Sequence, residues 1–334
     1  MDQVFGSPFQ RRSKARPTTI RPVSIVTLDT GEGGERDETA FTDALRHRAA
    51  ESLERAYRFL ETQPDVWALL RAQVLCEARP AGDLARKLGE TQADDGRLPI
   101  GTLVSGGGLG FPRIDPEALD PEQRGLVGTL EAMLMAGDAR VLHAEWVEPA
   151  ARFLESRQSR DGAYRVASLD VEEADAAVFW TGMVAGILGR TPLSKTGPLE
   201  AAGAFLADHF TPEAVEQEGY SALIAYAHFY TNVPDEGADD ALQWCGRALE
   251  KGFRSRALDA VSTLRVLLTC DAQAMPGATF DAAELLERLL EEQAGDGGFA
   301  ELSLSGPVSR TTQSFDAMLA LVRLCAMLGV EPGP

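Results

Sequence analysis

Gln158-Ser-Arg-Asp161-Gly162-Ala-Tyr164 returns late in the chain as Gln293-Ala-Gly-Asp296-Gly297-Gly-Phe299. A shorter form, Gln92-Ala-Asp-Asp95-Gly96, precedes both. Each time a Gln closes a helical stretch and an Asp-Gly turn follows. Read without a gap, at an offset of 135 residues, the last two copies stay in step beyond the turn. Trp180, Met183 and Ala185 then fall on Phe315, Met318 and Ala320. A phrase that keeps its turn and its apolar positions marks a copied supersecondary unit.

Working outward, apolar residues recur near every 3.6 positions and predict helices in pairs. The first pair runs from about Phe41 to Gln63 and returns through Val66 to Leu75. The second is Leu84 to Gln92 and Pro121 to about Ala136, the latter opened by Asp120, Pro121 and Gln123 as cap, first residue and back-reaching side chain. The third is Leu142 to Gln158 and Asp170 to Leu188, and the fourth Pro198 to Phe210 and about Pro212 to Tyr230. The fifth is Asp239 to Phe253 and Arg256 to Thr269, and the sixth Phe280 to Gln293 and Ser309 to Met327. In every pair the first helix carries more charge. The second is apolar nearly all round, as in Ala176 to Leu188, and such a helix is buried on all sides.

Six buried helices inside six amphipathic ones predict an all-α (α/α)6 barrel, or α-toroid. Gly182, Ala185 and Gly186 are small enough to let inner helices approach closely. An open solenoid of six hairpins has the same local pattern. Both ends of the array look like ordinary repeats without polar caps, which favours the closed ring. The expected division is a basic, polar tail over 1–40, one toroid over 41–328 and a short tail over 329–334.

The 334-residue chain is 44% hydrophobic, ample for one large core, with a net charge of −19. Five basic residues (Arg11, Arg12, Lys14, Arg16 and Arg21) against Asp2 alone give the first stretch the opposite sign. So acidic a body predicts no nucleic-acid partner. The basic start lacks the apolar core of a signal peptide and no stretch reaches membrane-spanning length, so a cytoplasmic protein is expected. Cys76, Cys245, Cys270 and Cys325 lie unpaired in apolar helical runs and read as reduced core residues. The long connection from Arg97 to Asp120, with Gly106-Gly-Gly-Leu-Gly110-Phe111-Pro112, reads as a lip over one mouth. No Lys-Ser/Thr follows the glycines and no strand precedes them, which excludes a P-loop.

The last turn, together with Ser309-Arg-Thr-Thr-Gln-Ser-Phe-Asp-Ala-Met-Leu-Ala-Leu321, resembles the repeat of protein prenyltransferase β subunits and squalene–hopene-type (class II) terpene cyclases. The third hairpin resembles it well, the second in part, the others weakly. The resemblance implies an α-toroid whose central cavity takes a hydrophobic, isoprenoid-like chain. Protein prenyltransferases hold zinc through an Asp-x-Cys pair and a distant His. This chain has no Asp-x-Cys, so no metal and no cofactor are expected.

Class II cyclases carry Asp-x-Asp-Asp at the entry of an inner helix. The nearest string here is Glu173-Ala-Asp175-Ala176-Ala177, degraded in its last position. The resemblance makes Asp175 the catalytic acid and Glu173 its partner. Burial and a neighbouring carboxylate raise the acid's pKa, while the positive end of the helix opposes them. The same acids also read as ordinary first-turn residues favoured by the helix dipole. In the gapless register Arg310 stands where Asp175 does, so the scaffold requires no acid there.

Trp180, Tyr220, Tyr226, His228 and Phe315 are the candidate substrate-binding residues. An aromatic lining suits a hydrocarbon chain or a carbocation, and each ring is equally a candidate for plain core packing. Three readings therefore stand. One is acid-initiated cyclisation of an isoprenoid. A second is a non-catalytic toroid that binds a lipid, peptide or protein partner. A third is a carbohydrate-active (α/α)6 enzyme, for which no carboxylate pair is singled out.

Overall fold

The computed structural model describes residues 35–99, 112–193, 195–217, 220–272, 274–299 and 309–328. Among them are thirteen helices and no strand. In chain order they are α1 (Glu35–Glu61), α2 (Val66–Leu75), α3 (Ala81–Gly89), α4 (Pro121–Asp138), α5 (Val147–Ser156), α6 (Glu173–Gly189) and α7 (Thr196–His209). There follow α8 (Pro212–Val215), α9 (Ser221–Asn232), α10 (Ala238–Arg254), α11 (Ala260–Thr269), α12 (Ala282–Glu291) and α13 (Arg310–Met327). The described helices belong to one compact unit. Helix α1 starts at Glu35, inside the stretch expected as tail. The glycine run of the long connection lies outside the described residues.

Six hairpins result, and the apolar patterns explain which helix is inner. On α4 every residue from Gly125 to Gly137 is buried, and on α6 every residue from Ala176 to Leu188. Outer helices such as α10 and α12 bury one stripe. Helix starts follow side-chain chemistry. Asp65, Asp120, Asp259 and Asp281 each accept amide hydrogen bonds from the first turn of the helix they precede. Asp120 takes the amides of Glu122 and Gln123 at 2.9 and 2.8 Å, as its cap position requires.

The fourth hairpin departs from the expected single inner helix. The short α8 ends at Val215, and the chain re-enters helix only at Ser221. Between them Tyr220 takes a left-handed conformation, φ 57, with its amide turned back to the Gln217 carbonyl at 3.1 Å. The apolar spacing runs through this break because Val215 of α8 is buried, as most of α9 is. The expected count of twelve becomes thirteen for that reason.

The repeated phrase is a joint between hairpins. Each Gln side-chain amide donates twice: to the carbonyl of the glycine four residues on, and to a main-chain carbonyl of the next outer helix. Gln92 reaches Gly96 and Trp146, both at 2.9 Å. Gln158 reaches Gly162 and Pro198 at 2.9 and 2.8 Å. Gln293 reaches Gly297 and Ser52 at 2.8 and 2.9 Å. The glycines all have positive φ, 91, 88 and 91. Each lies against the carbonyl three residues beyond the one its Gln holds: Pro149, Ala201 and Arg55. A Cβ there would overlap that oxygen, so the turn needs glycine for both conformation and space.

The third joint ties the sixth hairpin to the first. Helix α1 packs on α12 and α13, and α13 packs on α2. The array is therefore a closed (α/α)6 ring, and the open solenoid is excluded. Inner helices α6 and α9 run together because glycines face them. A Cβ on Gly182 would lie 2.5 Å from the Ala225 carbonyl, and one on Gly186 2.6 Å from His228 Nδ1.

The structure also corrects the gapless register. The turn residues Leu98, Tyr164 and Phe299 each donate their amide to an inner-helix hydroxyl, at 2.9 Å in all three. The acceptors are Thr129, Thr181 and Ser314, at separations of 31, 17 and 15 residues. The connections differ in length, so Ser314 matches Thr181, and Phe315 matches Gly182 rather than Trp180. For the same reason Arg310 is not the counterpart of Asp175.

Candidate functional site

The Asp-Gly aspartates are structural. Asp161 pairs with Arg165, and Asp296 receives Arg310 through two bonds of 2.7 and 2.8 Å. Each also takes an amide two residues on, from Ala163 and Gly298. The arginine hydrogen bonds pull both carboxyls down to about 2. Asp95 repeats the arrangement loosely, with its Arg97 ion pair at 3.6 Å.

The expected acid, Asp175, and its partner Glu173 lie in the first turn of α6, both exposed. Nearby Asp170 accepts the Arg113 amide at 2.9 Å, and Leu169 donates to the Arg113 carbonyl at 2.7 Å. The described end of the long connection is thus pinned beside the entrance of α6. Asp175 is close enough for its charge to act on the Tyr226 hydroxyl, whose ionisation is disfavoured mainly by burial.

The aromatic candidates separate. Trp180, Tyr226 and His228 are all at 0% exposure, on the two inner helices that meet through glycine. A side chain bordering a cavity wide enough for a water molecule would show some surface, so these three sit in dry packing. Tyr226 meets Phe210 edge-on at 5.0 Å and stacks with Tyr230 at 6.2 Å. Its hydroxyl is buried without a hydrogen-bond partner, and the only group that acts on the His228 ring as one among the described residues is the Met183 carbonyl. Burial drives the imidazole down to about 3, with Arg190 and Arg265 adding to the effect. The Met183 carbonyl favours the protonated ring but is outweighed. Burial thus favours the neutral imidazole at His228. Tyr220 is apart from this group, with its hydroxyl packed over Gly252 of α10. Phe315 lies under the Arg71 guanidinium, 3.7 Å from its ring centre.

What occupies the bore is charged, and sequence reasoning missed it. Arg71 of α2 binds Asp138 of α4 at 2.8 Å. Arg265 of α11 reaches the same carboxylate at 3.2 Å and Asp316 of α13 at 3.3 Å. All four side chains are at least nine-tenths buried. Helices α4 and α11 come from opposite sides of the ring, and they touch. The Asp138–Arg265 pair thus closes the bore across its width. Burial pushes Asp316 up, against the pull of Arg265 and Arg71. Asp138 meets the same burial, but two arginines hold it below the usual carboxylate range.

Two further features were overlooked. Glu131 is buried two positions past Thr129, as Asp316 is two past Ser314, so the repeat places carboxyls at matching levels of α4 and α13. Glu292 takes the Ala260 amide on both oxygens at 2.9 Å. Beside it Asp259 binds Ser262 and Gln313 at 2.6 and 3.1 Å. Burial raises both carboxyls, and Asp259 raises Glu292 further. This pair spends its acceptors joining the fifth hairpin to the sixth. For Arg71, Glu131, Asp138, Arg265 and Asp316 the signal was a lone charge in an apolar helix, which has meaning only once its partners from distant hairpins are known; Asp259 and Glu292, at helix ends, gave none.

No group of His, Cys, Asp and Glu suited to a metal ion occurs among the described residues, and the four cysteines are free. No helix among those residues is long and apolar enough to cross a membrane.

No protein-family profile and no curated protein matches the chain. Among solved structures, a protein from Actinoplanes is similar at 14% identity and a TM-score of 0.50, over 83% of this chain and 99% of that one. A type II terpene cyclase from Scytonema, in complex with its substrate geranylgeranyl dihydroxybenzoate, aligns at 12% identity and a TM-score of 0.47. That alignment spans 85% of this chain and 99% of the other. The likeness to the Actinoplanes protein is one of helical fold alone.

Proposed function

We propose that this toroid binds a largely apolar ligand with one polar end, such as an isoprenoid alcohol, by parting the rings around Tyr226 of α9, which close on one another without it, and does not cyclise it. What carries the reading is the orphaned Tyr226 hydroxyl in a dry aromatic cluster. The Tyr226 hydroxyl has no hydrogen-bond partner, and such a buried group costs about 1–3 kcal/mol. A ligand hydroxyl inserted there recovers that cost, while Trp180 and the neighbouring rings take up its hydrocarbon part. The ion-bridged bore argues against cyclisation, because a long chain has no room to fold where Arg265 meets Asp138.

Acid-initiated cyclisation is the second reading, with Asp175 as the acid and Glu173 beside it. It is favoured by the position of Asp175 at the entry of α6, within electrostatic reach of Tyr226. Protonating an alkene needs a site closed to water, however, and Asp175 is exposed, which ranks this reading below the first.

The purified protein should be titrated with farnesol, geranylgeraniol and squalene by native mass spectrometry and tryptophan fluorescence. The mixtures should then be extracted for gas chromatography. The expected result is saturable binding of an alcohol without product, weakened about 3- to 10-fold in Tyr226→Phe, the weight of one hydrogen bond. Cyclised product that disappears in Asp175→Asn would replace the first reading with the second. No binding of any of the three would remove both.

A further inference from the structure

The inner helices run in parallel, so their C-terminal ends converge on one mouth. Four guanidiniums gather at and just inside it: Arg71, Arg190, Arg265 and Arg323. Their ion pairs go to three carboxylates, Asp138, Asp271 and Asp316. That is one guanidinium more than carboxylate, in a chain whose net charge is −19. The surplus sits toward the surface. Arg190, the C-cap of α6, has its side chain 12% exposed, and Arg323, on the last turns of α13, 28%. Arg190 stands nine residues past the hydroxyl Thr181, and Arg323 nine past Ser314, so the repeat delivers both to one level.

Both reach for Asp271, from opposite hairpins, and neither is well served. Arg190 lies 3.7 Å from one carboxylate oxygen and Arg323 3.2 Å from the other. Neither contact has the alignment of a hydrogen bond. The one hydrogen bond of the Arg190 guanidinium among the described residues goes to the Thr269 carbonyl at 3.4 Å. A guanidinium offers five N–H donors in a planar fork, and a largely buried one left this short of acceptors is costly. Burial accordingly disfavours its charged form more than Asp271 and Asp138 favour it. Asp271 itself is 41% exposed and held in the left-handed region at φ 53, strained for a residue other than glycine. The carboxylate that bridges the two arginines is thus the loosest part of the cluster.

We propose that this mouth is an oxyanion site, in which Arg190 and Arg323 grip a phosphate or carboxylate group and Asp271 gives way to it. Fork-to-fork contact with a planar or tetrahedral oxyanion supplies the aligned, charge-assisted bonds that Asp271 does not. The site lies at the end of the bore away from Asp175 and is independent of the apolar-ligand reading above.

The test uses the full chain with inorganic phosphate, pyrophosphate and succinate, each at constant ionic strength in sodium chloride. Binding is followed by isothermal titration and thermal unfolding. One saturable equivalent per chain is expected, with the preferred anion separating a phosphoryl from a carboxylate ligand. Binding should be lost in Arg323→Gln and Arg190→Gln, and kept in Arg254→Gln, a surface arginine of α10. Asp271→Asn leaves both guanidiniums and removes their competitor, so it should tighten binding about tenfold. Stabilisation that follows ionic strength alone, or Asp271→Asn binding no tighter than the parent, would overturn the proposal even if the arginine variants fail to fold.

Discussion

Asp138→Asn should be the most damaging single polar change in the barrel, and Asp316→Asn among the milder ones, although both replace a buried carboxylate by its neutral isostere. Asp138 accepts from Arg71 at 2.8 Å and from Arg265 at 3.2 and 3.4 Å. Asp316 accepts one nitrogen, at 3.3 Å. Removing the first charge leaves two buried guanidiniums with little compensation, and breaking such a pair from one side costs about 3–5 kcal/mol. Removing the second forfeits one long contact, about 1 kcal/mol or less. For a chain of this size the larger loss corresponds to a fall of roughly 5 °C or more in melting temperature. The pH dependence has opposite signs. The Asp138 carboxyl is depressed in the fold, so its contribution is present above the ordinary carboxylate pKa and lost as pH falls through the folded value. The Asp316 carboxyl is raised, so its ionisation costs stability at neutral pH and that cost is relieved on acidification. Urea titrations of the parent and both variants at pH 7 and at mildly acid pH measure these differences. If Asp316→Asn is as destabilising as Asp138→Asn at pH 7, the division of roles drawn from the contact geometry is wrong.

Gln293→Ala removes the bonds to Ser52 and Gly297 and should cost about 1–3 kcal/mol without changing the oligomeric state of the parent, read by chemical unfolding and light scattering. Gly162→Ala should be worse than any of the glutamine variants, because its Cβ meets the Ala201 carbonyl at a positive φ; a stability loss under 1 kcal/mol would mean the joint is more pliable than its geometry implies. The His228 ring should show no titration by NMR between pH 8 and 5, since burial holds it down to about 3. Asp161 and Asp296 should titrate near 2, and each shift should shrink when its partner, Arg165 or Arg310, is replaced by Gln, the amides of Ala163 and Gly298 keeping the remainder.

The ring was legible in the sequence because its information is local. The Gln and Asp-Gly spacing lies within a few residues, and the difference between α6 and α10 is a matter of apolar periodicity. The break at Tyr220 was hidden, because periodicity registers a shared buried face and is silent about a left-handed residue between two helices. The two-residue slip that paired Trp180 with Phe315 came from loops of unequal length, and the amide–hydroxyl bonds to Thr181 and Ser314 expose it. Arg71, Asp138, Arg265 and Asp316 each looked like a stray charge in an apolar helix. Their meaning depends on contacts up to 127 residues apart, which no pattern along the chain encodes. Asp175 was placed at the entry of α6 as expected, but its exposure depends on what covers the mouth.

The joints between hairpins have an evolutionary corollary. Every one of them grips backbone: Gln92, Gln158 and Gln293 hold carbonyl oxygens, and the glycines rest on carbonyl oxygens. The helices they hold present Trp146 and Pro149, Pro198 and Ala201, or Ser52 and Arg55 at the gripped positions, side chains with nothing in common. Only at the third does a partner side chain, that of Arg55, also bind the glutamine, and a connector that holds chiefly backbone lets its partner's sequence drift while the architecture persists. A ring assembled this way can share its shape with another protein at 14% identity, and its ancestry is better sought in the short Gln–Asp-Gly phrase than in the sum of its residues.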